Sequence, residues 1–109
     1  MRYAYRDLGE QPAGTEITVR LAGSAANVLL LDPSNYSSYR AARPFRYTGG
    51  LHHRSPARLT VPRDGHWYLV IDLGGHRGRV RANVESINPL GEDADGAPTR
   101  KDDALEAVS

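Results

Sequence analysis

Cysteine is absent from this 109-residue chain, which excludes a disulfide framework, a thiolate zinc site and a cysteine nucleophile. Burial and sheet hydrogen bonds have to hold the fold. No apolar run approaches the roughly 18 residues that cross a bilayer, and the start, Met1-Arg2-Tyr3-Ala4-Tyr5-Arg6, lacks the apolar stretch of a secretory signal. A cytoplasmic chain without a membrane segment is the expectation. Lysine is almost missing too, with Lys101 alone beside 13 arginines. Arginine suits planar, two-pronged contacts with phosphate or carboxylate, although GC-rich coding yields the same excess. Long helix-period segments are also lacking, so the chain has to be built from strands and turns.

Charge is unevenly spread. The net charge is +1, yet the first 90 residues hold 12 arginines and 7 acids, whereas the remainder holds 2 basic residues and 6 acids. A basic body therefore carries an acidic tail. The body reads as an all-β domain over residues 1–88, a small antiparallel sandwich or barrel of about seven strands with one short helix. The strands fall at 2–8, 16–21, 27–31, 45–52, 57–61, 66–73 and 77–87. Ile17, Val19 and Leu21 alternate with Glu16, Thr18 and Arg20, the pattern of a half-buried strand. Residues 67–71 are instead continuously apolar, as expected of a central strand buried on both faces.

Asp32-Pro33-Ser34-Asn35 marks a helix start, with Asp32 or Ser34 as cap and Pro33 tolerated in the first turn. That helix has to end before Pro44, and it makes neighbours of Tyr36 with Arg40 and of Tyr39 with Arg43. Gly49-Gly50 suggests a bulge or bend. Pro62-Arg63-Asp64-Gly65 is a strong turn signal and predicts a hairpin between 59–61 and 66–73. Residues 89–109, rich in acids and small residues and free of aromatics, read as a disordered acidic tail, in which 102–108 has the pattern of a transient or partner-induced helix.

Several short motifs occur together: Asp7-Leu8-Gly9, Gly23-Ser24-Ala25-Ala26-Asn27-Val28, Ser34-Asn35-Tyr36-Ser37-Ser38-Tyr39, Tyr47-Thr48-Gly49-Gly50, Gly65-His66-Trp67-Tyr68 and Ile71-Asp72-Leu73-Gly74-Gly75. In this order and spacing the chain resembles a bacterial family, domain of unknown function 1883, over about residues 1–87. The resemblance implies a compact β-rich domain that some relatives carry beside a Toll/interleukin-receptor-type domain. A functional link to such an effector, as a separate protein, is what it suggests. It carries over no catalytic or binding residue.

Four groups of residues are candidates for chemistry. Arg77, Arg79 and Arg81 share one face of a strand and repeat at about 6.7 Å, close to the phosphate spacing of a nucleic-acid strand. Outward Arg20 and Arg58 would widen that stripe. The competing reading is a sheet edge charged against aggregation. Tyr36, Tyr39, Arg40 and Arg43 either project outward for contact or form a lid over an open end of the sandwich. Trp67, Tyr68, Tyr47 and Phe45 offer stacking surfaces, although a tryptophan inside an apolar strand favours the core.

The histidines carry no metal spacing, since adjacent His52 and His53 face opposite sides of a strand, and His66 and His76 flank the central strand at opposite ends with no glutamate or cysteine near them. Asp72 reads as a structural acid paired with a loop amide, Arg77 or another arginine. No catalytic residue, metal or cofactor is therefore expected. The leading expectation is a non-enzymatic recognition module for an anionic ligand or a protein partner, through Arg77, Arg79, Arg81 and the 36–43 segment. The alternatives are a carbohydrate or small-ligand module using Trp67, Tyr68 and the Gly49-Gly50 loop and, third, an enzyme. An exposed edge strand also offers a surface for a homodimer.

Overall fold

The computed structural model describes residues 3–87 and 104–108. Strands β1 (Tyr3–Gln11), β2 (Glu16–Gly23) and β3 (Ala26–Leu31) lead into helix α1 (Pro33–Arg40). Strands β4 (Thr48–His52), β5 (Ala57–Thr60), β6 (Gly65–Asp72), β7 (Arg79–Ile87) and β8 (Leu105–Val108) follow. They form two four-stranded sheets, a first in the order β1-β6-β3-β4 and a second in the order β5-β2-β7-β8, with every pair antiparallel. The sheets stack without closing, so the fold is a sandwich and not a barrel. No helix of the described residues is long and apolar enough to cross a membrane.

The chain switches sheets at five of the seven connections between successive strands, and this overturns the expected hairpin at Pro62-Arg63-Asp64-Gly65. β5 belongs to the second sheet and β6 to the first, so the turn carries the chain across the sandwich. Both strands carry an apolar row, and stacking them face to face buries Leu59 and Val61 with Trp67, Leu69 and Ile71 in one core. The β1–β2 connection supports the crossing. Gly14 N donates to Val61 O at 2.8 Å, Val61 N to Thr15 O at 2.8 Å, and Ala13 N to Asp64 Oδ1 at 2.7 Å.

The alternation in β2 works as read: Ile17 and Val19 are fully buried between the sheets while Arg20 is exposed. β6 is buried on both faces because a third layer covers the first sheet. Trp67, Leu69 and Ile71 point into the sandwich, whereas Val70 joins Leu29, Leu31, Tyr36 and Tyr39 in a second apolar cluster beneath α1. That helix begins as its sequence predicts. Asp32 Oδ1 accepts from Asn35 N at 2.8 Å with Pro33 in the first turn, and its other oxygen pairs with Arg63. The Gly49-Gly50 bulge does not form; both glycines pair in unbroken register with Leu29 and Val28. The irregularity lies in β1 instead, between Asp7 and Gly9.

The expectations at the C-terminal end change most. Arg77 lies in a bend before β7 begins at Arg79, so the three arginines do not share one strand. A boundary at residue 88 leaves out an element that the second sheet uses. Leu105–Val108, placed in the disordered tail and given helical potential, is a strand, with Leu105, Glu106, Ala107 and Val108 opposite Ala82, Arg81, Val80 and Arg79. Alternation explains it, since Ala107 is buried against the core and Glu106 is exposed beside arginines. The rest of the predicted tail lies outside the described residues.

Candidate functional site

All six tyrosines and Phe45 collect on the outer face of the first sheet, and Trp67 alone enters the sandwich core. Strand parity sends Tyr3, Tyr5 and Tyr68 to that face, and α1 lays Tyr36 and Tyr39 over them. The rings are in edge and stacked contact. Tyr36 stacks on Tyr68 with centroids 4.3 Å apart, and Tyr39 meets Tyr3 edge-on at 5.1 Å and Phe45 edge-on at 5.2 Å.

Asp72 fastens this layer. Its strand parity matches Val70, so the carboxylate faces α1 and is only 3% exposed. There it accepts from Tyr39 Oη at 2.6 Å, Asn27 Nδ2 at 2.8 Å and Gly74 N at 2.9 Å. The expected loop amide is one partner, while the other two are a helix tyrosine and a neighbouring-strand amide in place of arginine. Burial and then the hydrogen bond to Asp72 push the Tyr39 phenol far above its ordinary value of 10.0. Tyr36 is also raised, by burial first and then by its contact with Tyr3.

A group whose folded-state pKa lies above its unfolded value contributes stability that is complete below the unfolded pKa and declines as the pH rises past it. Urea stability is therefore expected to fall above pH ~10, by about 1.4 kcal/mol per pH unit for each such tyrosine. Tyr39→Phe should roughly halve that slope. An unchanged slope in the variant would mean that its phenol is not held in this way.

Beside the tyrosine layer opens a cavity of about 650 Å³. Tyr3, Leu29, Tyr39, Phe45, Tyr47 and Leu51 give it an apolar and aromatic wall, with Asn27 and Asp72 at its polar end and Arg40 and Arg43 also lining it. Tyr47 and Leu51 are 54% and 59% exposed, so that wall opens to solvent. The end of α1 shapes the rim. Ala42 N donates to Tyr39 O and Arg43 N to Ser38 O, closing the helix with Ala42 in the left-handed region at φ 56°. Glycine is usual at such a position. Here an alanine under backbone strain lines the cavity, the kind of strain that gathers at functional sites.

The predicted site residues divide between two faces of the molecule. Tyr36 and Tyr39 are each 7% exposed and pack on the sheet, so neither projects outward, and α1 covers a sheet face instead of an open end of the sandwich. Arg40 lies 5.7 Å over the Tyr36 ring. Arg40 and Arg43 reach the cavity. Arg20, Arg58, Arg79 and Arg81 stand on the outer face of the second sheet, with both sheets between them and α1, and each faces a glutamate.

Arg20 meets Glu85 at 2.8 Å and Arg58 meets Glu16 at 3.6 Å, while Arg79 and Arg81 meet Glu106 at 4.0 and 3.8 Å. Arg79 and Arg81 are therefore not on an edge strand, because β8 lies outside β7, whereas Arg58 is on the edge strand β5. Among the described residues Arg40 and Arg43 have no carboxylate at ion-pair distance.

Sequence reasoning missed Tyr3, Asn27 and Leu51 as cavity residues. Strand parity marks the face of each, but nothing local says that the face is hollow. It also missed the carboxylate beside His66, whose Nε2 lies 2.5 Å from Asp7 Oδ1 across β1 and β6. Among the described residues no three His, Asp or Glu side chains gather to hold a metal. Trp67 is buried, its Nε1 donates to Arg63 O at 3.1 Å, and the Arg63 guanidinium lies 4.9 Å over its ring.

No curated protein and no solved structure matches the chain. The sequence model of the family described as Domain of unknown function (DUF1883) does match, over residues 1–89, which takes in β1 to β7, α1 and the whole cavity. The chain belongs to that family.

Proposed function

We propose that the chain is a recognition module for an anionic ligand with an apolar or aromatic body, bound in the cavity beside α1 and not along the arginine stripe. One observation carries this reading. Arg40 and Arg43 line an aromatic-walled cavity without a carboxylate partner among the described residues, whereas Arg20 and Arg58 each pair with a glutamate and Arg79 and Arg81 share Glu106. Two unneutralised guanidinium groups beside a solvent-open apolar wall suit a phosphate, sulfonate or carboxylate on a flat or hydrophobic scaffold. The cavity volume falls in the range of small-molecule sites.

Isothermal titration with a nucleoside monophosphate, an arylsulfonate and their neutral counterparts tests the reading. An anionic probe should bind and its neutral counterpart should not. A charge-assisted contact contributes about 1.5 kcal/mol or more, so Arg40→Glu/Arg43→Glu should weaken binding by about a hundredfold. Arg79→Glu/Arg81→Glu should stay within about threefold, because exposed and already paired charges contribute little. The reverse ranking, or equal binding of charged and neutral probes, would remove the cavity as an anion site.

A further inference from the structure

Independently of the cavity, β8 bears on what the second sheet binds. One edge of β7 pairs with β2, and along Arg79, Val80, Arg81 and Ala82 the other edge pairs with β8. The family match ends at residue 89, so the unit that this chain shares with its family includes β7 but not the strand that covers it. In such a unit this part of β7 is a sheet edge, with backbone groups set to template another strand. What seats there in this chain has a defined chemistry. Ala107 is 2% exposed opposite Val80, Leu105 packs half-buried against the sandwich core, and Glu106 lies within 4.0 Å of both Arg79 and Arg81. β8 also lies beside β1 of the first sheet.

We propose that the outer edge of β7 is a docking site for an extended segment of a partner protein that alternates apolar and acidic residues, and that Leu105–Val108 occupies it in cis as a competing pseudo-ligand. The sheet supplies affinity through main-chain hydrogen bonds, the core-facing positions select small and apolar side chains, and Arg79 and Arg81 select the acid between them. The hold of β8 is weak enough to release. It pairs at four positions, its ion pairs are solvent-exposed, and exposed pairs contribute little. Because β8 belongs to the same chain as β7, its pairing is intramolecular, which offsets this weakness. Closure in cis and opening to a tighter-binding partner then coexist in one chain.

The test uses the full chain and a fluorescein-labelled synthetic peptide with the sequence of residues 102–109, read by fluorescence anisotropy and by amide hydrogen exchange at residues 79–82. Glu106→Arg places like charges beside Arg79 and Arg81 at an exposed position and leaves the core intact. It should speed exchange at 79–82 and raise peptide affinity about tenfold over wild type. Ala107→Asp, which puts a carboxylate against the core, should do the same by a different route. Adding Arg79→Glu/Arg81→Glu to Glu106→Arg restores opposite charges, so slow exchange should return and peptide binding should fall.

The proposal fails if exchange rises in Glu106→Arg and the peptide still does not bind. It also fails if both single variants match wild type in exchange and binding. A concentration-dependent dimer that protects residues 79–82 would overturn it in favour of a second copy of the chain as occupant.

Discussion

Gly49→Ala is expected to lower the folding free energy by at least about 3 kcal/mol, while Gly50→Ala one residue away loses about 1–2 kcal/mol. Both glycines sit at positive φ, 119° and 149°, where a side chain is strained. The difference lies in what a Cβ would meet. At Gly49 it would come within 2.0 Å of Val28 O and 3.1 Å of Val28 C, whereas at Gly50 it meets nothing within 4 Å. The atom in the way is backbone. It belongs to β3, which is held by β6 on one side and β4 on the other, so it cannot yield without breaking a ladder. Urea unfolding of the two variants measures the difference directly. Gly50 and Leu51 line the cavity, so Gly49→Ala should weaken ligand binding as well. Equal stability of the two variants would show that β4 does not approach β3 this closely.

Asp72→Ala is expected to cost about 3 kcal/mol or more, because it strands the Tyr39 hydroxyl, the Asn27 amide and the Gly74 N–H with no acceptor. Asp72→Asn should lose less than half as much, since its carbonyl still accepts while its NH2 group confronts donors. A double-mutant cycle with Tyr39→Phe should return a coupling of roughly 1.5–3 kcal/mol, the range for a hydrogen bond to a charged group. The loss should also be local in its first effect. Tyr39 is the α1 residue that reaches Asp72, so amide exchange in α1 should accelerate before that of β6. A coupling near zero would mean that packing alone holds the helix.

How much of this was legible before the structure depends on the range of the signal. The cap at Asp32 and the half-buried pattern of β2 depend on residues within one turn or one strand, and both appear where the sequence places them. The buried run at 67–71 also appears as read, though its second face is covered by α1, which periodicity alone could not assign. Pro62-Arg63-Asp64-Gly65 misled because a turn signal states that the chain reverses, not which sheet receives it. Leu105–Val108 misled because four residues with one acid carry no strand signal until Val80, Ala82 and two arginines stand opposite.

Composition and alternation were enough to establish a cysteine-free chain, an antiparallel β domain and a basic body with an acidic C-terminal segment. These depend on each residue's own chemistry and on neighbours a few positions away. The partition of the arginines required the packed fold. Four of the predicted arginines lie opposite Glu16, Glu85 and Glu106, and two stand unopposed at a cavity walled by aromatics. Whether a guanidinium is available to a ligand depends on which carboxylate lies within a few ångströms of it. Here Arg20 and Glu85 are 65 positions apart in the chain and 2.8 Å apart in space, a proximity that only the pairing of β2 with β7 creates.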